Sequence, residues 1–252
     1  MTSPSDSTAD STDLSRRAWA GLPQRPTVLV PLGSFEQHGP HLPLDTDTAL
    51  AVAVAHGAAR ELRQHLPGTN VLVAPPVVYA ASGEHQSFPG TISIGNEVLR
   101  FMLVELVRSL ALWSGRIVFV NAHGGNLGSL TQAVRQVVKE GRDVTWVPCE
   151  TESVDAHAGH TETSLMLHLA PERVDMTLAE KGNTAPIADI LPALIAGGVS
   201  AVSSSGVLGD PTTATADEGA QVLDELIADI TSRIQDGKAD EDGRLRRAGA
   251  RS

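Results

Sequence analysis

Apolar positions along the chain fall into two alternating patterns. Short runs of aliphatic and β-branched residues read as buried strands: Thr27 to Leu32, Arg116 to Asn121 and Asp143 to Pro148. Val71 to Val73 and Val77 to Tyr79 read as strand pieces broken by Pro75 and Pro76. Between them lie stretches with helical spacing. The clearest is Asn96 to Trp113, where Leu99, Met102, Leu103, Leu106, Val107, Leu110 and Trp113 recur at i, i+3 and i+4 behind Asn96 as an N-cap. Thr48 to Leu66, Leu127 to Lys139, Thr161 to Leu169 and Thr215 to Gln235 are the other predicted helices.

Strand alternating with helix predicts βαβ units. The expected fold is a single-domain, layered α/β/α arrangement with a mostly parallel sheet. Residues 1–22 are polar and without period, and 237–252 are charged and contain glycine, so both read as disordered tails around a domain at 23–236. In sheets of this kind, reactive side chains are expected just beyond the carboxyl ends of the strands.

Composition narrows the picture. With aromatics at 3%, the core must be built mainly from Ala, Val, Leu and Ile. A net charge of −11 argues against nucleic-acid and anionic-membrane partners. No apolar run reaches the roughly 18–20 residues a membrane span needs, and residues 1–16 lack the apolar stretch of a signal peptide. The only cysteine, Cys149, excludes an intrachain disulfide and a Cys-rich zinc site. A cytoplasmic location is expected.

Four polar segments carry candidate chemistry. The first, Gly33 to Asp47, follows directly on the first predicted strand and holds Glu36, His38 and Asp47. Glu36 and His38 are two apart, so an extended backbone sends both side chains the same way. Asp47, at the start of the next helix, could bridge two cations with its two oxygens, and Asp45 or Thr46 suits the helix N-cap. The second segment, Asn121 to Asn126, puts His123 immediately after a strand, with Gly124 and Gly125 permitting a tight turn. The third, His157 to Ser164, offers Glu162 in a helix's first turn, and His157 and His160 as general acids or bases. The fourth, Ser82 to Thr91, is a Gly/Pro-containing loop whose Glu84 and His85 could meet a substrate.

Two imidazoles and three carboxylates without thiolate suit Zn²⁺, Fe²⁺ or Mn²⁺ better than a pure Ca²⁺ or Mg²⁺ site. A shared carboxylate points to two divalent ions roughly 3.5–4 Å apart, hence to metal-assisted hydrolysis.

The segments GSFEQHGPHLPLDTDT, GEHQSFPGTISIG, NAHGGN, HAGHTETS and GVLGDPTTAT, in this order, resemble the creatininase (creatinine amidohydrolase) family. The resemblance covers about Thr27 to Ile234. It implies two divalent metals, one held by Glu36, Asp47 and His123, the other by His38, Asp47 and Glu162. It implies His157 in proton transfer, for which His160 is a second candidate by residue type alone, and a closed homo-oligomer such as a hexamer built from dimers. Creatininase itself has Tyr-Glu where this chain has Gly124-Gly125, and many relatives are acidic where His160 stands. Both departures weaken creatinine itself as substrate; creatinine or another small cyclic amide or formamide stays as the alternative reading. The likeness is greater to the family's peptide-cleaving members, and implies removal of a modified C-terminal Val-Tyr dipeptide from a ribosomal precursor peptide. The segment Gly206 to Thr215 and the loop Gly83 to Thr91 are the expected walls of a substrate groove.

Overall fold

The computed structural model describes residues 12–66, 68–150, 155 and 157–247. Four parallel strands form the central sheet: β1 (Thr27–Leu32), β2 (Val71–Val73), β3 (Arg116–Asn121) and β4 (Val144–Pro148), in the order β2-β1-β3-β4. Among the described residues six α-helices accompany them: α1 (Thr46–His65), α2 (Asn96–Leu110), α3 (Leu127–Lys139), α4 (His160–Leu169), α5 (Ile187–Gly197) and α6 (Ala216–Asp236).

Alternation along each strand divides the core in two. Leu29 on β1, and Val118 and Val120 on β3, pack with Val54, Ala58, Met166 and Ile230 from α1, α4 and α6. Val28, Val30 and Leu32, with Ile117 and Phe119, pack with Leu99, Leu103, Leu130 and Val134 from α2 and α3 on the opposite face. Strands covered on both faces read as continuous apolar runs, and for that reason β1 and β3 begin and end where the sequence predicts.

The chain crosses from β1 to β2 over one face of the sheet, then returns past β1 to β3 over the other. A right-handed crossover leaves a sheet on opposite faces when it moves in opposite directions. The reversal therefore falls between β1 and β3, and the loops leaving their carboxyl ends open a crevice there. Both lead into candidate ligands.

Several details differ from the sequence expectation. Val77 makes only an isolated bridge to Leu32. Gly95, at φ 77°, takes the cap position before α2, and Asn96 is instead the first helical residue, accepting from the Ser129 hydroxyl at 2.9 Å. Asp45 precedes α1 without capping it; its carboxylate pairs with Arg173. Helix α5, with Ile187, Leu191 and Ile195 exposed and Pro192 inside it, has no counterpart in the sequence reading.

The expected tails are also partly ordered. Thr12 accepts a backbone hydrogen bond from Val73 at 2.8 Å. Residues 238–246 form a small antiparallel hairpin, Lys238–Ala239 against Leu245–Arg246. The hairpin covers the sheet edge: Trp146 donates its indole N–H to Asp242 O and its backbone N–H to Gly243 O, both at 2.9 Å. An uncovered edge strand invites foreign pairing, and this segment closes it. The remainder of the expected tails, 1–11 and 248–252, lies outside the described residues.

Candidate metal centre

The first-segment loop turns back beneath the end of β1. Glu36 N donates to Leu44 O at 2.8 Å, and the Thr48 hydroxyl to Ser34 O at 2.9 Å. These bonds hold Glu36 and His38 against the first turn of α1, where Asp47 points inward. All three are buried. His123, two residues past β3, enters from the side, and Glu162, in the first turn of α4, closes the cluster.

The ligand atoms converge on Asp47. Its Oδ1 stands 3.1 Å from His38 Nε2, and its Oδ2 stands 3.1 Å from His123 Nδ1. Glu36 Oε2 lies 3.2 Å from His123 Nε2, and Glu162 Oε2 lies 3.9 Å from His38 Nε2. Two groups of possible cation ligands result, Glu36–Asp47–His123 and His38–Asp47–Glu162, with Asp47 common to both. A third, Glu36–His38–His157, adds a histidine that the sequence reading assigned to proton transfer.

Two observations test whether these residues suit divalent ions. Both oxygens of Glu36 are buried and lack a well-formed hydrogen bond among the described residues. A carboxylate taken out of water needs a cation or donors to compensate, and a metal ion supplies the cation. His38 Nδ1 lies 3.1 Å from the Glu36 carbonyl oxygen, so Nδ1–H donates to it, which leaves Nε2, directed at Asp47 and Glu162, as the nitrogen that can give up its proton to a cation. Metal-bound histidines usually have their second nitrogen fixed in this way. The donor set fits.

Electrostatics agree with a site built around positive charge. Burial raises Glu36 to about 7, against the opposing pull of His123. Burial raises Glu162 to about 7 as well, opposed by His38. Burial also disfavours ionised Asp47, but His38 and hydrogen bonds from His123 overcome it and hold the carboxyl well below its usual range. His38 and His123 are pushed to about 10: burial opposes their charge, and Asp47 and Glu36 respectively lead the carboxylates that restore it. Burial holds His157 well below its ordinary value, reinforced by His38 and His85, so it is neutral. Burial drives the Cys149 thiol up to about 12, which leaves it no nucleophilic role at neutral pH.

The remaining predicted residues divide. His157 Nδ1 is 3.9 Å from Glu36 Oε1, inside the cluster. His160 is not: its Nδ1 lies 3.2 Å from the Thr213 hydroxyl and its Nε2 3.2 Å from Glu218, toward α6. The expectation that His160 could replace His157 is corrected by this geometry. Glu84 and His85 sit on a one-turn 3₁₀ helix, Gly83–His85. Glu84 is partly exposed, 3.5 Å from His123 Nε2, whereas His85 is buried, with Nε2 3.2 Å from Glu36 Oε1. Glu84 fills space that Gly125 leaves open, since a Cβ at 125 would stand 2.3 Å from Glu84 Oε1. Gly206, Val207, Leu208 and Gly209 are buried, so the first part of the expected groove wall lies behind the site.

The sequence reading passed over Ser34, Gln37 and Asn126. The Asn126 side chain donates to Gly33 O at 2.9 Å and accepts from Ala81 N at 3.2 Å, joining the loops after β1 and β3 to the segment before Glu84. Their place immediately beside the ligand segments was the one available signal.

The profile of the creatininase family, described as creatinine amidohydrolase, matches residues 13–234. The chain belongs to the creatininase family. It is a family member 55% identical over 224 residues to the mycofactocin precursor peptide peptidase of Mycobacterium ulcerans (strain Agy99), a match covering 87% of this chain and 89% of that protein. Identity to the mycofactocin precursor peptide peptidase of Mycolicibacterium smegmatis (strain ATCC 700084 / mc(2)155) is 53% over 220 residues, with the same coverage. A creatininase structure with a tryptophan-to-phenylalanine mutation aligns at TM-score 0.73 and 25% identity, covering 89% of this chain and 98% of that one. The creatininase-family α/β fold and its amide-hydrolase chemistry thus extend to this chain, with a His/Glu/Asp cluster able to bind metal.

Proposed function

We propose that this chain is a peptidase that hydrolyses an amide bond in the modified mycofactocin precursor peptide, releasing the C-terminal Val-Tyr-derived dipeptide. The observation that carries this reading is 55% identity over nearly the whole chain to a relative bearing the peptidase name, combined with a buried carboxylate–imidazole cluster. Creatinine, or another small cyclic amide or formamide, is the weaker reading, because likeness to a creatininase falls to 25%.

In this reading Glu36, Asp47 and His123 hold one divalent ion, and His38, Asp47 and Glu162 hold the other. Zn²⁺, Fe²⁺ and Mn²⁺ all suit these donors. Bound ions supply Lewis acidity that polarises the amide carbonyl and makes water nucleophilic at neutral pH. His157, neutral and inside the cluster, takes the proton of the attacking water and delivers it to the departing nitrogen. Glu84, at the open side next to His123, contacts the peptide, and His85 supports Glu36 from behind.

We also take the protein to work in the cytoplasm as a homo-oligomer, with neither membrane nor nucleic acid as partner. Among the described residues no helix is long and apolar enough to cross a membrane. The exposed Ile187, Leu191 and Ile195 of α5 form an apolar row that a neighbouring subunit could cover.

The test is incubation of metal-loaded protein with the modified precursor peptide, followed by mass spectrometry, with creatinine in parallel. A released Val-Tyr-derived fragment is the expected result. An intact peptide alongside conversion of creatinine to creatine would overturn the substrate assignment while leaving the hydrolase chemistry in place.

A further inference from the structure

Gln37 lies between the two ligands Glu36 and His38, and its side chain turns away from both. It enters a slot walled by His85, His157 and Gly206. Gly39 N donates to Gln37 Oε1 at 2.9 Å, and this bond decides which end of the amide is which. Nε2 therefore faces the histidines. It stands 2.8 Å from His85 Nδ1, 3.1 Å from His157 Nε2 and 3.2 Å from Gly206 O.

Counting hydrogens resolves the cluster. His157 Nε2 is 2.9 Å from the Gln37 backbone carbonyl, which can only accept, so that nitrogen carries the hydrogen. The Gln37 amide has two hydrogens, and its two remaining acceptors are His85 Nδ1 and Gly206 O. In the alternative, with the amide donating to His157, the lone pair of His157 Nε2 faces a carbonyl oxygen at 2.9 Å and Gly206 O loses its donor. The first arrangement uses every hydrogen once. It leaves His85 with its hydrogen on Nε2, facing Glu36 Oε1 at 3.2 Å, and His157 with a bare Nδ1 on the side of Glu36.

The slot has no spare room. Gly206 has φ +83°, and a Cβ there would stand 1.9 Å from Gln37 Oε1. The segment that follows is tied to His157 itself: His157 N donates to Leu208 O at 3.2 Å, and Leu208 N to His157 O at 2.8 Å. The GVLGD stretch thus braces both His157 and the glutamine.

We propose that Gln37, seated against Gly206, is a positioning residue whose side chain sets the tautomer of His85 and whose backbone carbonyl sets that of His157, so that His157 presents a bare Nδ1 to the reaction centre. The tautomer assignment stands on geometry alone; its consequence for turnover rests on the amide-hydrolase reading.

The experiment is long-range ¹H–¹⁵N correlation NMR on protein with ¹⁵N-labelled histidine, metal-free and zinc-loaded, alongside steady-state kinetics on the peptide. Wild-type protein should show His85 and His157 as Nε2–H tautomers. Gln37→Glu replaces the donor with a carboxylate, so His85 should move to the Nδ1–H form. The kcat should fall by roughly 10–100-fold, as when other supporting partners at metal sites are removed, with KM little changed. Gly206→Ala keeps the glutamine but displaces it, and should shift the same ¹⁵N signals; it serves also if Gln37→Glu does not fold. Unchanged tautomers in a folded variant overturn the proposal. Wild-type protein with the expected tautomers but no peptide cleavage would instead count against the substrate reading alone.

Discussion

The Ser34 hydroxyl donates to Asp47 Oδ2 at 2.8 Å, linking the loop after β1 to the first turn of α1 inside the buried cluster. This bond orients the carboxylate so that its other oxygen faces His38. Ser34→Ala should weaken divalent-metal affinity by roughly 10-fold or more, the scale seen when an outer partner of a metal ligand is lost. Competition with a chromophoric chelator measures this; unchanged affinity would show that Asp47 needs no such support.

Asp47 alone is common to the Glu36–His123 and His38–Glu162 groups. Asp47→Ala should lose both ions, not one, and turnover with them. Metal analysis after dialysis against a defined metal buffer reads the stoichiometry. A variant that keeps two ions and full activity would refute a shared ligand.

Metal uptake should release protons. His38 and His123, at about 10, are protonated at pH 7.5 in the metal-free protein, and both must give up a proton to bind an ion. Affinity should therefore rise with pH through the range 7–10. Calorimetric titration with Zn²⁺ in two buffers of different ionisation enthalpy should report release of about two protons per protein when both sites fill. Zero release would mean that these imidazoles are already neutral.

His41 is buried; its Nδ1 has no partner among the described residues, and its Nε2 lies 2.9 Å from the Thr163 hydroxyl. Burial, aided by nearby His38, lowers it to about 4. The unfolded chain binds the proton more readily, so the contribution of His41 to stability is full above about pH 6.5 and is lost as pH falls toward 4. Thermal unfolding of metal-free protein at pH 7 and pH 4.5 should show a smaller difference for His41→Gln than for wild type. Equal differences would remove His41 from the acid sensitivity.

The strands and most helices were legible because their patterning is local. β1 and β3 are covered on both faces, so each is a continuous apolar run. Helices α2 and α3 carry their apolar residues at regular helical spacing, and both start where the periodicity does. The candidate ligands were legible for a related reason: a carboxylate or imidazole directly after a buried strand stands at the end of the sheet where crevices form. Family motifs then named the amide-hydrolase chemistry, which the family match bears out.

Other features depend on contacts between distant parts of the chain. The hairpin at 238–246 is short and largely polar, and its place depends on distant contacts, with Trp146 on β4 and the burial of Leu245 in the core among them. The direction of His160 was equally invisible: position 160 starts α4, and packing against α6 turns its ring toward Glu218. The Gln37 slot brings together residues 37, 85, 157 and 206, and hydrogen-bond geometry across such separations leaves no periodicity to read. Sequence alone determined the layers, the strand ends and the kinds of candidate ligand. Tertiary structure decided which way the His160 ring turns and how Gln37 is seated between His85 and His157, because those depend on distances of a few ångströms between groups that only folding brings together.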